Sequence, residues 1–277
     1  MTTRQFDGII PSPPDPLDWP LPNFIPLGVD INAPTEMDWE FPRPNPLDQG
    51  DTQYCGGFGM AHFGINLPRF RDYNEADAIR FYRLCKEIEG DPLGENGVYA
   101  RSTAKVLQNL GIIENYAFAP DFESMRWWIL NRGPVMIGAM WMDGMMTPDA
   151  NNVIHATGNW RGGHFFIANA TRPDRHCKIL NSWGPGWGDN GMAWISEDDI
   201  NKLLGIYCEI ITAVDLEDAI IPPEEPQTPP EGPPVIEPPI IVDPPIEDTP
   251  DEPEIEPAPA TGCMFALSKY LLTRHKK

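Results

Sequence analysis

Cys55 stands at the head of a glycine-rich stretch, "DQGDTQYCGGFG" (residues 48–59), six residues after Gln49. A thiol with a pKa of about 8.5 is mostly protonated at neutral pH. It becomes a nucleophile only beside a positive charge or a helix N-terminus. A helix starting at Cys55 would set the sulfur over free backbone N–H groups and the positive end of the helix dipole. The Cys55 N–H then offers one hydrogen bond to a developing oxyanion, and the Gln49 amide, folded back from the preceding loop, offers a second. Gly56 and Gly57 leave room for a substrate to approach. The plain alternative is a buried thiol that packs as a small hydrophobe. What decides between them is whether the chain supplies a base.

Five histidines compete for that role. His62 shares a helix face with Cys55 but lies about 10 Å along the axis, so it reads as packing or surface. His176 adjoins a predicted strand start and His275 sits in a basic tail, neither with suitable company. His155, in a loop ahead of "ATGNWRGGHFF", is a distant rival. His164 is the strongest. Gly162 and Gly163 deliver it to a strand and allow a substrate chain to come close. Seventeen residues later, "NSWGPGWGDNG" supplies Asn181 to orient the imidazole, with Trp183 and Trp187 to roof the pair and exclude water. A nucleophile, a base and a third group that holds the base make a triad.

In order and spacing, "DQGDTQYCGGFG", "GGHFFIANA" and "ILNSWGPGWGDNG" resemble the papain-like cysteine peptidases over roughly residues 10–215. The arm "PSPPDPLDWP" is similar to that of compact bacterial and bacteriophage members. The resemblance implies an α+β fold of two lobes, one helical and one of antiparallel strands, with the site in the cleft between them. It implies Cys55 as nucleophile, His164 as base and then acid, Asn181 as orienter and Gln49 as oxyanion donor. Asn96 and Gly97, in "GENGVYARSTAKVLQNLGI", would hold the backbone of a protein or peptide substrate, and no cofactor or metal is implied. The chain departs from the family at Gly56, where a Trp is usual, and at Thr52, where a disulfide cysteine is usual. No long inhibitory propeptide precedes the body, so restricted specificity, late expression or sequestration is expected to control it. Two other readings stand beside an active peptidase. One is a catalytically silent binding or structural component of a virion or other complex, for which Gly56 is the warning sign. The other is the same thiol chemistry on a non-peptide amide or a cell-wall peptide.

The elements that must position these residues are legible in outline. Capping residues and glycine stops predict helices over 55–66, 74–89, 102–110 and 121–131. Short apolar runs bounded by turn residues then predict strands at "VMIGAMW", "HFFIANATR", "CKILNSW", "GMAWIS" and "YCEIITAVD". Ser196 with Asp199 marks a short helix before the last strand. Helices first and strands afterwards give an α+β protein with its site between two halves.

Composition divides the chain further. Residues 1–48 read as a Pro-rich arm lying across a body of residues 49–215. Residues 216–262 read as an acidic, Pro-rich linker and residues 263–277 as a short basic amphipathic segment. From Asp215 to Gly262 there are 14 acidic residues and no Lys or Arg, about two-thirds of the net charge of −21. With 13 prolines between Pro222 and Pro253, this stretch buries too little apolar surface to offset its ordering entropy and is expected to be disordered. Met264, Leu267 and Leu271, at helical spacing among basic residues, could dock the tail on a partner. No basic patch marks the body, which argues against nucleic acid. Five cysteines without a C-x-x-C pair argue against structural zinc and suit a reducing compartment. There is neither a secretion signal nor an apolar run long enough for a transmembrane segment. A cytoplasmic protein, or one carried in a virus particle, is the expectation.

Overall fold

The computed structural model describes residues 8–25, 36–92, 94 and 97–214. The acidic linker, the C-terminal segment with its docking residues, His275 and Asn96 lie outside the described residues. In chain order the elements are β1 (Ile9–Ile10), β2 (Met37–Asp38), α1 (Cys55–Ile65), α2 (Glu75–Ile88), β3 (Val98–Tyr99), α3 (Ala100–Asn109), β4 (Tyr116–Ala119) and α4 (Phe122–Asn131). They continue with β5 (Val135–Met142), β6 (Val153–Ile154), β7 (Trp160–Thr171), β8 (His176–Leu180), β9 (Met192–Ser196), α5 (Glu197–Leu204) and β10 (Cys208–Ala213).

Local chemistry sets the helix ends. Asn74 caps α2 through a capping box with Asp77. Asp121 caps α4 by accepting from the Ser124 N–H, and Ser196 caps α5 by accepting from the Asp199 N–H. Gly90 and Gly111, at φ +71° and +66°, take the left-handed turn that ends α2 and α3. The four long helices therefore fall within two residues of the spans read from sequence.

The large sheet has the order β4-β10-β5-β7-β8-β9-β6, with β2 also paired to β7. Its pairings are antiparallel except β6 with β9. Alternation along the strands divides the core. Val135, Ile137, Ala139 and Trp141 of β5, with Phe166 and Ala168 of β7, pack in one cluster with α4 and α5. Met136 of β5, with Phe165 and Ile167 of β7, joins the other cluster with α1, α2 and α3. The fold is thus α+β, with α1, α2 and α3 in one core cluster and α4 and α5 in the other, and α1 points Cys55 at the sheet.

All 11 residues of α1 are buried, and its glycines explain how so tight a helix fits. A β-carbon at Gly57 would lie 2.1 Å from the Ala78 carbonyl oxygen of α2, and one at Gly59 would lie 2.3 Å from the Phe165 ring. Space at Gly56 is filled by Val98, whose Cγ2 would be 2.6 Å from a β-carbon there. The expectation that Gly56 and Gly57 open a path for substrate is corrected accordingly. Gly57 lets α2 approach, and Gly56 receives the side chain of Val98.

The N-terminal residues run over this body. Leu21 is fully buried in the core, and the Trp19 carbonyl accepts the Phe118 N–H of β4 at 2.8 Å. Further on, the Trp39 indole N–H donates to the Ile129 carbonyl at 2.6 Å. Asn66 reaches the Trp39 carbonyl at 2.9 Å and accepts from Asn169 at 3.1 Å. These bonds tie the stretch before Leu47 to both α1 and β7.

Candidate active site

Cys55 is the first residue of α1, following Tyr54 in the cap position, so the helix begins where the sequence requires it. Its side chain is 1% exposed. Burial pushes the thiol up to about 12, partly offset by the backbone N–H groups of Phe165, Gly56 and Cys55 itself. The Phe165 contact matters for placement, because Phe165 follows His164 on β7. The strand that carries His164 therefore lies directly against the sulfur.

His164 is fully buried, and its Nε2 is 2.8 Å from Oδ1 of Asn181. The same Oδ1 accepts the Ser182 backbone N–H at 2.8 Å. A backbone N–H can only donate, so the atom facing both groups is the amide oxygen, and Nε2 is the protonated ring nitrogen. Nδ1 is then the acceptor. Asn181 thus fixes both the plane and the tautomer of the imidazole.

Gln49 is held from three sides. Its N–H donates to the Ser182 carbonyl at 2.9 Å, its Oε1 accepts from Ser182 Oγ at 2.5 Å, and its Nε2 donates to the Thr52 carbonyl at 2.7 Å. Its second amide hydrogen meets no acceptor among the described residues. Ser182, which the sequence motifs alone do not single out, joins the Gln49 loop to the Asn181–His164 pair. Its signal is present in "NSWG", where a hydroxyl follows the orienting Asn.

His62 positions the same loop from beneath. It is completely buried and accepts the Leu47 N–H on Nε2 at 2.9 Å, two residues before Gln49. It is packing, not surface. Burial first, and the Arg43 charge second, push it down to about 3. The unfolded chain, with His near its ordinary value of about 6.5, binds a proton below that pH that the native state refuses. Stability on this account is complete above about pH 6.5 and falls toward pH 3, by about 1.4 kcal/mol per unit. His62→Gln, which keeps an acceptor without the titration, should flatten that part of the acid slope. Urea midpoints from pH 4 to 7.5 measure it.

An aromatic cluster backs the imidazole. Trp183 lies 5.1 Å from the His164 ring, centroid to centroid, and Trp187 lies 5.7 Å from Trp183. Trp141, absent from the sequence-based site, comes closer to His164, at 4.8 Å and edge-on. Gly163 meets a chain at very short range, for a β-carbon there would be 2.0 Å from the Ile9 carbonyl oxygen. Gly97 accepts from Lys86 Nζ at 3.4 Å. His155 is exposed and paired with Asp149 at 3.1 Å, and His176 bonds its neighbour Asp174. Among the described residues, no group of three or more His, Cys, Asp or Glu is placed to hold a metal ion, and no helix is long and apolar enough to cross a membrane.

A thiol at a helix start, a strand-borne imidazole oriented by Asn, and a Gln on the preceding loop sit on the fold of the papain-like cysteine peptidases. No family model and no curated protein matches the sequence, but solved structures do match the fold. Xylellain, a cysteine protease from Xylella fastidiosa, superposes with a TM-score of 0.59 at 18% identity, covering 77% of this chain and 96% of that one. Procathepsin B S9 from Trypanosoma congolense gives 0.50 at 10% identity, covering 71% and 82%. Digestive procathepsin L2 from the larval midgut of Tenebrio molitor gives 0.50 at 15%, covering 76% and 78%. At such identities the fold is what is shared.

Proposed function

We propose that this protein is a cysteine peptidase that cleaves peptide bonds through Cys55, His164 and Asn181. His164 Nδ1 takes the thiol proton and the sulfur attacks the substrate carbonyl carbon. The oxyanion accepts from the Cys55 N–H and from Gln49. His164 then gives its proton to the leaving amine, and water, with His164 again as base, hydrolyses the thioester. The observation that carries this reading is the His164–Asn181 pair, in which the Ser182 N–H fixes Oδ1 and leaves Nδ1 as the basic nitrogen, on a strand whose next residue, Phe165, turns its backbone N–H to the Cys55 sulfur. Substrate backbone is proposed to run past Gly97 and Gly163, with Asn96 contributing, and Trp183 and Trp187 shield the imidazole. The acidic, Pro-rich residues 216–262 are proposed to tether this body to whatever residues 263–277 bind, inside a cell or a virus particle.

A second reading has one observation in its favour. Cys55 is buried and its thiol is held far above the reactive range, as suits a binding component that cuts nothing. Iodoacetamide at about pH 5.5 with a peptide library separates the two. A thiol paired with imidazole reacts there, whereas one near 8.5 barely does. Labelling at Cys55 and hydrolysis, both abolished in Cys55→Ala, are expected. No hydrolysis under any condition in which Cys55 is labelled would overturn the peptidase reading.

A further inference from the structure

We propose that Lys86 and Glu89, a buried ion pair at the end of α2, position β3 to receive substrate, which rests on Cys55 being the nucleophile and on substrate running past Gly97. They hold one edge of the strand and leave the other, near Cys55, for an extended peptide. Lys86 Nζ lies 3.6 Å from Glu89 Oε2, and the two side chains are only 4% and 5% exposed. Lys86 Nζ also donates to the Gly97 carbonyl at 3.4 Å, and Glu89 Oε1 accepts the Tyr99 N–H at 2.7 Å. The pair thus grips backbone groups on either side of Val98.

In an extended strand the N–H and C=O of one residue point to one side and those of the next residue to the other. The Gly97 carbonyl and the Tyr99 N–H therefore turn toward the end of α2, and Val98 turns its own polar groups the opposite way. There the Val98 N–H donates to the Gly8 carbonyl at 3.1 Å, with Ile9 and Ile10 paired alongside. That edge accordingly has the geometry to bond an extended chain. It adjoins the nucleophile, because the Val98 side chain fills the space over Gly56, the residue after Cys55.

A buried ion pair adds little net stability to a fold, since desolvating both charges costs about as much as their attraction gains. What it supplies that apolar residues cannot is direction, an ammonium for a carbonyl and a carboxylate for an N–H. β3 is two residues long and has β1 as its one strand neighbour among the described residues, so its second edge depends on side chains. The turn between α2 and β3 folds onto the same ammonium. Asp91 Oδ2 is 2.8 Å from Lys86 Nζ, and the Asp91 carbonyl accepts the Gly94 N–H at 3.0 Å. The clamp is in turn seated on the helix of the nucleophile. A β-carbon at Gly57 of α1 would be 2.1 Å from the Ala78 carbonyl oxygen of α2, and Cys85, beside Lys86, has its sulfur 3.7 Å from that of Met60. Close contacts therefore run from Cys55 along α1, across to α2 and through Lys86 to β3.

The full-length double variant Lys86→Met, Glu89→Leu tests it by removing both charges together and leaving apolar side chains in the buried space. With a fluorogenic peptide selected from the library, KM should rise about tenfold or more at nearly unchanged kcat, because the bonds lost serve ground state and transition state alike. Iodoacetamide, which has no backbone to pair, should label Cys55 at the parent's rate. Lys86→Met with Glu89→Gln, whose amide oxygen can still accept the Tyr99 N–H, should recover part of the lost KM. A parental KM, or a loss that falls on kcat or labelling instead, would overturn the clamp and leave the peptidase reading standing. A parent that labels but never hydrolyses would sink the peptidase reading. The affinity of Cys55→Ala chains for fluorescent library peptides then decides, about tenfold weaker binding without the clamp upholding it and equal binding overturning it. Peptide bound by neither would overturn both. Should the double variant fail to fold by circular dichroism, Glu89→Gln takes its place, with KM expected to rise about threefold and a parental KM overturning the proposal.

Discussion

His164→Gln should lower kcat/KM for peptide hydrolysis about a thousandfold to ten-thousandfold while changing Tm by only a few degrees. Gln is close to His in size and can still donate to Asn181 Oδ1, so the contact made at 2.8 Å and the Ser182 bond behind it have a replacement. What Gln lacks is a nitrogen that accepts a proton from a thiol and returns it to an amine. Without it, Cys55 has only backbone N–H groups and the helix terminus to favour a thiolate, and burial opposes them. The pH profile separates this from a packing defect. Alkylation of Cys55 below pH 6 should vanish in the variant and return only in the alkaline range, whereas a loosened site would label faster at every pH. Undiminished acid-range labelling in the variant would mean that His164 is not the base.

The parts of this arrangement that could be read from sequence are those fixed by local chemistry. Asn74, Asp121 and Ser196 cap helices in the structure because a side-chain oxygen two or three residues from free N–H groups satisfies them wherever the chain goes. His164 and Asn181 stood out as candidates because a histidine entering a strand behind two glycines, with an amide just past the end of the next strand, has few other uses. Beyond that range the signal fails. β1 and β3 are two residues each and stabilise one another only across 89 positions of chain, as Ile9 does with Val98, and no window of sequence contains such a pairing. Likewise "YAFA" of β4 is too short for its alternation to stand out, and its pairing with β10 comes from the far end of the body. Gly56 misled for a related reason. Its lack of a side chain looked like an opening, yet Val98 arrives from 42 residues away to fill it. Ser182 and His62 act through bonds to Gln49 and Leu47 that likewise span the fold.

Trp141→Ala should cost about 3–5 kcal/mol of stability and, through His164, most of the activity that survives. Trp141 is fully buried on β5, two residues beyond Ala139, which pairs with His164. It touches His164, Phe166, Trp183 and Trp187, with ring centroids 4.8–6.2 Å apart. A cavity there removes the wall against which the imidazole rests, and surrounding rings fixed by their own strands and loops can collapse only partly into it. For a domain of this size the cost corresponds to a Tm lower by roughly 6–20 °C. Trp141→Phe makes the contrasting case. The indole N–H of Trp141 donates to none of the described residues, so the replacement leaves no partner unpaired and loses only volume, about 1–2 kcal/mol. The Phe variant should keep the acid-range labelling of Cys55 and at least a tenth of the hydrolysis, because the ring edge on His164 is largely preserved. Thermal melts and alkylation rates on both variants measure this. Equal loss in the two would mean that the indole acts through its N–H, while no loss in Ala would mean that Trp183 alone holds the imidazole in place.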